Sequence, residues 1–279
     1  LNARARENQW GFVDFNRPMV AINQWEQAED SMYTLCGKDR IHPSTDGHLV
    51  MAYLFLKAQG LAGKPVADIR IDGAGKKVTR SDNCRVSDLS VSSDNLTFTY
   101  EAKSLPYPID TSYYDNEKHT QADALSVIPF MDEMNYEGLS VSGLSDGYYG
   151  LTIGGEFIGR FTARELERGI NMALLQNTPQ YKQAMKIRQM NEERWLKERK
   201  MREFYWVEYN LMRKTGMLWA CNEAAVDTLR KYRPHDIFLQ WNGALWLQYM
   251  HKGIREDCVN EQQDLVNQIY EQNKPIPLQ

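Results

Sequence analysis

Little in these 279 residues points to metals, disulfides or membranes. Cysteine is scarce: Cys36, Cys84, Cys221 and Cys258 are the four present, and they stand too far apart for the Cys-x-x-Cys pairs of zinc sites and dithiols. They read as free buried thiols. No apolar run approaches the roughly 18 residues of a membrane span, and the longest, 49–56, is interrupted by Tyr53. Positive charge is not in excess. With 33 Lys and Arg against 37 Asp and Glu, the formal net charge is -4, so no overall basic field exists to hold nucleic acid or an anionic membrane. His119, His235 and His251 lie in separate segments without ligand spacing, and Gly143, Gly147 and Gly150 do not make the Gly-x-Gly-x-x-Gly that follows a strand. No metal and no cofactor is expected.

What is present is ordinary globular composition, 42% hydrophobic and 25% charged, in a chain long enough for two domains or more. Phe12, Val13 and Phe15 before Pro18 predict a short buried strand in 11–19, followed by a helix over 20–31. Thr45 predicts the N-cap of a helix that Gly60 stops, apolar nearly all round, as expected of a helix packed between a sheet and other elements. After residue 63 the apolar period changes to two. Ile69 and Ile71, Leu89 and Val91, and Leu96, Phe98 and Tyr100 predict a β-rich region dominated by antiparallel strands. The stretch 106–123, with its polar run around 115–119, reads as a long excursion, and strands are expected to resume at Leu125 and form a meander over 139–161 with Gly154 and Gly155 at its last turn. Thr162 and Glu165 predict a capping box, and Pro179 the first turn of a long helix that Gly216 ends. Between 186 and 203, 11 of 18 residues are charged, and their alternating signs predict a solvated helix rather than a nucleic-acid face. Phe204, Tyr205, Trp206 and Tyr209 read as core. Two or three shorter helices, over about 222–232, 236–252 and 255–272, complete the chain.

Chemistry concentrates in 39–48. Asp39 stands three residues before His42, a spacing that lets the carboxylate fold back onto imidazole Nδ1 and leave Nε2 free to take a proton. Such an arrangement predicts a carboxylate oxygen within about 3.2 Å of Nδ1 on a loop partly open to solvent. Pro43 stiffens the exit from His42, and the helix that follows anchors the loop. His48, inside that helix, reads as packing. Asp39, His42 and Pro43, with Gly47 and the closing apolar helix, resemble the last block of the SGNH or GDSL-type hydrolases. In that family Asp-x-x-His-Pro lies between the final strand and final helix of a flavodoxin-like three-layer α/β domain. The resemblance implies His42 as general base and Asp39 as its orienting acid, in a Ser-His-Asp triad that hydrolyses an acyl ester through an acyl-enzyme. More loosely, 140–178 resembles the C-terminal extension of bacterial GDSL-like acylhydrolases, which implies an O-acetylated carbohydrate as a substrate and a periplasmic or secreted setting.

The family's Gly-Asp-Ser block and its oxyanion-hole Gly and Asn are not found. Asp30 and Ser31 mimic the first, but Glu29 replaces the glycine and no strand precedes it, so Ser31 lacks the strained turn a nucleophile needs. The chain opens at Leu1 on a polar stretch with no leader pattern. The reading is therefore a C-terminal part of such an enzyme: 1–63 ending the hydrolase domain, 64–162 a β-rich accessory domain, 163–279 a helical region. The nucleophile is expected in a missing N-terminal segment. A second reading is a non-catalytic binding or scaffold module whose β domain holds a glycan or a protein.

Overall fold

In a computed structural model, residues 1–93, 95–112 and 119–279 are described. Pro18 causes the first departure from the sequence reading. It lies in the first turn of a helix rather than at a break, where its missing N–H would have had no partner in any case. Helix α1 spans Asn2–Glu7 and α2 spans Asn16–Glu26. Residues 11–15 take no regular structure, so the expected strand there is not formed, and the helix expected over 20–31 begins and ends earlier. Helix α3, Thr45–Ala58, has Ser44 rather than Thr45 as its N-cap. No strand lies in 1–63, and a flavodoxin-like sheet is not among the described residues. One face of α3 is buried through Leu49, Val50 and Tyr53, against Leu35, Ile109, Ile128 and Phe130. On its other face Ala52 and Phe55 are exposed.

Mixed α/β structure with small sheets follows. Strands β1 (Ala67–Asp72), β2 (Lys77–Asp82), β3 (Cys84–Val91) and β4 (Leu96–Ala102) come first. Where strands were expected to resume at Leu125, the chain instead makes a 3-10 turn, Gln121–Ser126, and the short helix α4, Phe130–Glu133. These carry the apolar groups that pack on α3, a long-range contact invisible to local periodicity. Of the expected polar run, 113–118 lies outside the described residues. Strands β5 (Glu137–Ser142), β6 (Tyr148–Ile153) and β7 (Glu156–Thr162) follow. Helix α5 (Ala163–Arg168) opens on the expected Thr162 and Glu165 capping box, and β8 (Ile170–Asn171) comes after it.

Among the described residues the strands form a four-stranded sheet, β2-β1-β5-β8, and two hairpins, β3-β4 and β6-β7. The expected three-strand meander is therefore a hairpin beside a separate strand. Its turn does hold Gly154 and Gly155, at φ 59° and 83°, the left-handed pair that a primed turn requires. One ladder, β1 with β5, is parallel, and the others are antiparallel. Ile69 and Ile71 of β1 and Leu139 and Val141 of β5 supply one core, because alternate residues of a strand face one side.

The chain divides into two compact units, 1–184 with 275–279, and 185–274. The second unit is helical. Helix α6 (Pro179–Val207) ends in a π-helical turn, Glu208–Met212, and α7 (Glu223–Tyr232), α8 (Ile237–Tyr249) and α9 (Lys252–Gln272) follow. The charged face of α6 is laced with i,i+4 pairs, Arg188 with Glu192, Arg194 with Glu198 and Arg199 with Glu203, as the sign alternation predicts. Phe204, Val207, Leu229 and Trp246 are the centre of this unit's core. Tyr205 and Tyr209, expected in the core, are exposed. No helix of the described residues is long and apolar enough to cross a membrane.

Candidate active site

The loop that carries Asp39 and His42 is a closed miniature hairpin. Cys36 and Pro43 form an antiparallel bridge, Gly37 N–H donates to the His42 carbonyl at 2.8 Å, and Ser44 N–H donates to the Leu35 carbonyl at 3.0 Å. Within it the Asp39 carboxylate accepts from the Ile41 and His42 backbone N–H groups at 2.9 and 3.1 Å. Its other oxygen, Oδ2, lies 2.5 Å from His42 Nδ1. The expected pairing is thus formed, and the expected exposure too: the His42 side chain is 82% exposed and that of Asp39 48%. The hydrogen bond to His42, helped by those two backbone N–H groups, holds the Asp39 carboxyl down at about 2. Asp39 therefore stays ionised wherever a histidine base can work.

Burial increases along the chain from His42 into α3. Ser44 and Asp46 are 3% and 1% exposed. Asp46 Oδ1 accepts from the Ser44 hydroxyl and, at 2.8 Å, from Gly47 N–H, and its position in the first turn of α3 sets its charge against the positive end of the helix dipole. A Cβ at Gly47 would sit 2.0 Å from the Leu35 carbonyl oxygen. Only glycine lets α3 approach the loop this closely.

A second titratable pair was not legible in the sequence. His119 Nδ1 lies 3.7 Å from Asp46 Oδ2, and the Tyr33 ring meets the His119 ring edge-on at 6.0 Å between centroids. Burial, then the Asp46 charge, pushes the Tyr33 hydroxyl up to about 12. Asp46 and His119 are distant in sequence, so no spacing could have joined them. His48, expected to pack, is exposed, as are His235 and His251. Ser31 lies on an exposed turn after α2 rather than on a strand-to-helix elbow. Of the thiols, Cys84 and Cys258 are buried and Cys36 and Cys221 partly exposed, and all are free.

Fold and site together define a mixed α/β unit with a carboxylate-histidine pair on a tight loop, joined in one chain to a separate helical unit. Residues 185–274, the whole of that helical unit, match the family model for the diltiazem deacetylase C-terminal helical domain. The chain is also similar to a solved structure described as a gut microbial diltiazem-metabolizing enzyme, at 42% identity and a TM-score of 0.93, over 99% of this chain and 63% of that one. It thus spans under two thirds of the length of the enzyme it resembles. No curated protein matches it.

Proposed function

We propose that this chain is the C-terminal part of an ester hydrolase of the SGNH or GDSL type, with His42 as general base and Asp39 as the acid that orients it. The observation that carries this reading is the 2.5 Å contact between Asp39 Oδ2 and His42 Nδ1 on a loop closed by its own backbone. With the Nδ1 proton directed to the carboxylate, Nε2 faces outward with its lone pair free. There it accepts the proton of a serine hydroxyl as that oxygen attacks the acyl carbonyl carbon. It then returns the proton to the departing alcohol, and water repeats the sequence on the acyl-enzyme. Asp39 stabilises the imidazolium in both halves without taking the proton itself.

On this reading the serine and the oxyanion donors come from a segment outside these 279 residues. Support comes from the apolar surface of 1–63: Trp10, Trp25, Met32 and Ile41 are 66%, 80%, 69% and 74% exposed, and Phe55 of the largely apolar α3 is 45% exposed. Each of these is a large apolar group left open to solvent, and the sheet of a flavodoxin-like domain would cover such groups. Residues 1–63 then close the hydrolase domain, with the Ile109 to Met131 groups added to its core, 64–162 supply an accessory β region and 163–279 a helical one. The match of 185–274 to the helical domain of diltiazem deacetylase supports acetyl as the acyl group. An acetyl ester is the substrate this reading assigns, and an O-acetylated carbohydrate is one alcohol it admits.

The test is hydrolysis of p-nitrophenyl acetate by the full-length gene product and its variants. Turnover should fall by about 10⁴ in Asp39→Asn and at least as far in His42→Ala, the loss seen when a triad histidine is left without orientation or removed. This chain alone should show no turnover that depends on His42. Full activity in His42→Ala would overturn the assignment, and an inactive full-length protein would favour a binding or scaffold role.

A further inference from the structure

We infer that the β region holds a preformed binding site for an uncharged, two-ring aromatic molecule. Three small sheets that do not join edge to edge leave a cavity of about 290 Å³ where β4, β5 and β6 meet. Close packing normally leaves few voids larger than a water molecule, and a cavity of about 150 Å³ lined by Leu, Ile and Phe suffices to hold benzene. This one has nearly twice that volume. Its walls are Leu96 and Phe98 of β4, Val141 of β5, Leu144, and Tyr149 and Leu151 of β6. All of these but Val141 are only half-buried although they pack against the core, so the cavity, not the protein, faces part of their apolar surface.

Polarity selects the class of ligand. Among the described residues no Asp, Glu, Lys, Arg or His lines the cavity; its polar side chains are those of Ser92, Ser93, Ser145 and Asn95 and the Tyr149 hydroxyl. An ion carried in among Leu96, Phe98, Val141, Leu144 and Leu151 would exchange its hydration for apolar contacts, whereas a neutral ring system with one hydroxyl or carbonyl at the mouth keeps its hydrogen bond. Two aromatic walls, Phe98 and Tyr149, favour flat rings, which gain edge and face contacts beyond area alone. The mouth is also built in advance. Ser92 N–H donates to the Asn95 carbonyl at 2.8 Å and Asn95 N–H to Ser92 Oγ at 3.1 Å. Across from them Tyr149 donates its hydroxyl to the Ser145 carbonyl at 2.9 Å, and Gly73 N–H donates to the Ser142 carbonyl at 2.9 Å. Binding then needs little ordering of the protein.

The probe is 2-naphthol, neutral at pH 7, titrated into the whole chain by calorimetry and by methyl-resolved NMR. One site with a Kd on the order of 100 µM or tighter is expected for a ligand of this size. Shifts should concentrate on the methyls of Leu96, Val141, Leu144 and Leu151. The charged 2-naphthalenesulfonate should bind at least tenfold more weakly, and Val141→Phe or Leu144→Phe, which fill the space, should weaken 2-naphthol at least tenfold. Should a filling variant fail to fold, the shift map of the unaltered chain decides alone. Absence of saturable binding below 1 mM, equal affinity for the sulfonate, or shifts confined to 185–274 would each overturn the inference.

Discussion

The Asp39–His42 pair was legible because both partners lie on one turn, where three-residue spacing fixes their distance. A direct consequence is open to titration. The carboxyl of Asp39 is held at about 2, chiefly by His42 and then by two backbone N–H groups. Carbon-13 NMR of the Asp39 carboxyl should show an inflection near that value and move up in His42→Ala, while staying below the ordinary value because the backbone donors remain. Since the folded pKa lies below the unfolded one, the contribution of Asp39 to stability is complete above about 4 and fades as pH falls toward 2. An unshifted carboxyl in the unaltered chain would show that the two side chains do not pair in solution. Gly47 sets a second residue-scale expectation. Gly47→Ala places a methyl group against the Leu35 carbonyl, so either the loop or α3 must retreat, at a cost of about 1–3 kcal/mol or more. Chemical denaturation measures it, and a neutral result would mean the loop is not seated on the helix. Asp46 with His119 is the counterexample to legibility: the chain brings them together only through the packing of 119–131 on α3.

At the scale of elements, what the sequence revealed were features with a local cause: the Thr162 box, the Gly154–Gly155 turn, the solvated face of α6. The expected strand at 11–15 failed because alternating aromatics make a strand only when a neighbour offers a ladder, and none of the described residues pairs with them. The π-helical end of α6 was hidden for a different reason. Glu208, wholly buried, accepts from Trp219 N–H and Trp246 Nε1 at 2.8 Å each, and both partners come from later segments. Trp219 itself sits at φ 62°, a strained conformation for a bulky residue that this bond helps to hold. Strand β5 carries a buried acid of another kind. Glu137 is 0% exposed and accepts at one oxygen from the Tyr100 hydroxyl at 2.8 Å and Gln180 at 3.2 Å. Burial nonetheless pushes its carboxyl up to about 7 from 4.5. The folded chain therefore keeps a proton that the unfolded chain releases between these values, and stability should fall as pH rises from about 4.5 to 7. Glu137→Gln removes that slope. Compared at pH 8 by urea unfolding, the variant should be more stable by up to about 3 kcal/mol, and the gain should vanish by pH 4. Parallel pH profiles for the two proteins would refute the buried, proton-holding acid.

Over the whole molecule, the α/β start expected over 1–63 holds helices and no strand, whereas the succession of a β region and a helical end could be read from changes of apolar period. The discontinuity of the first unit could not. Residues 275–279 rejoin it after 185–274 have formed the helical unit, and they do so as an edge: Tyr100 and Leu278 exchange backbone hydrogen bonds at 2.7 Å each, and Gly154 N–H donates to the Gln279 carbonyl at 2.7 Å. Leu278 is 8% exposed and belongs to the core of Tyr100, Ile153 and Ile158. Neither hydropathy nor motif marks that pentapeptide, because two aliphatic residues, Ile276 and Leu278, alternating with prolines are too few to show a periodicity. Its removal by Leu278→Ala should cost the first unit about 2–3 kcal/mol, the lower range for a buried leucine with some access to solvent. The helical core around Phe204 and Trp246 shares no residue with it. Hydrogen exchange followed by mass spectrometry separates the two consequences: protection should drop in β4 and the β6-β7 hairpin and stay unchanged through Phe204 and Val207. Equal loss of protection in both units would mean that the chain unfolds as one cooperative body, and that the return of 275–279 ties together what their separate cores suggest are independent folds.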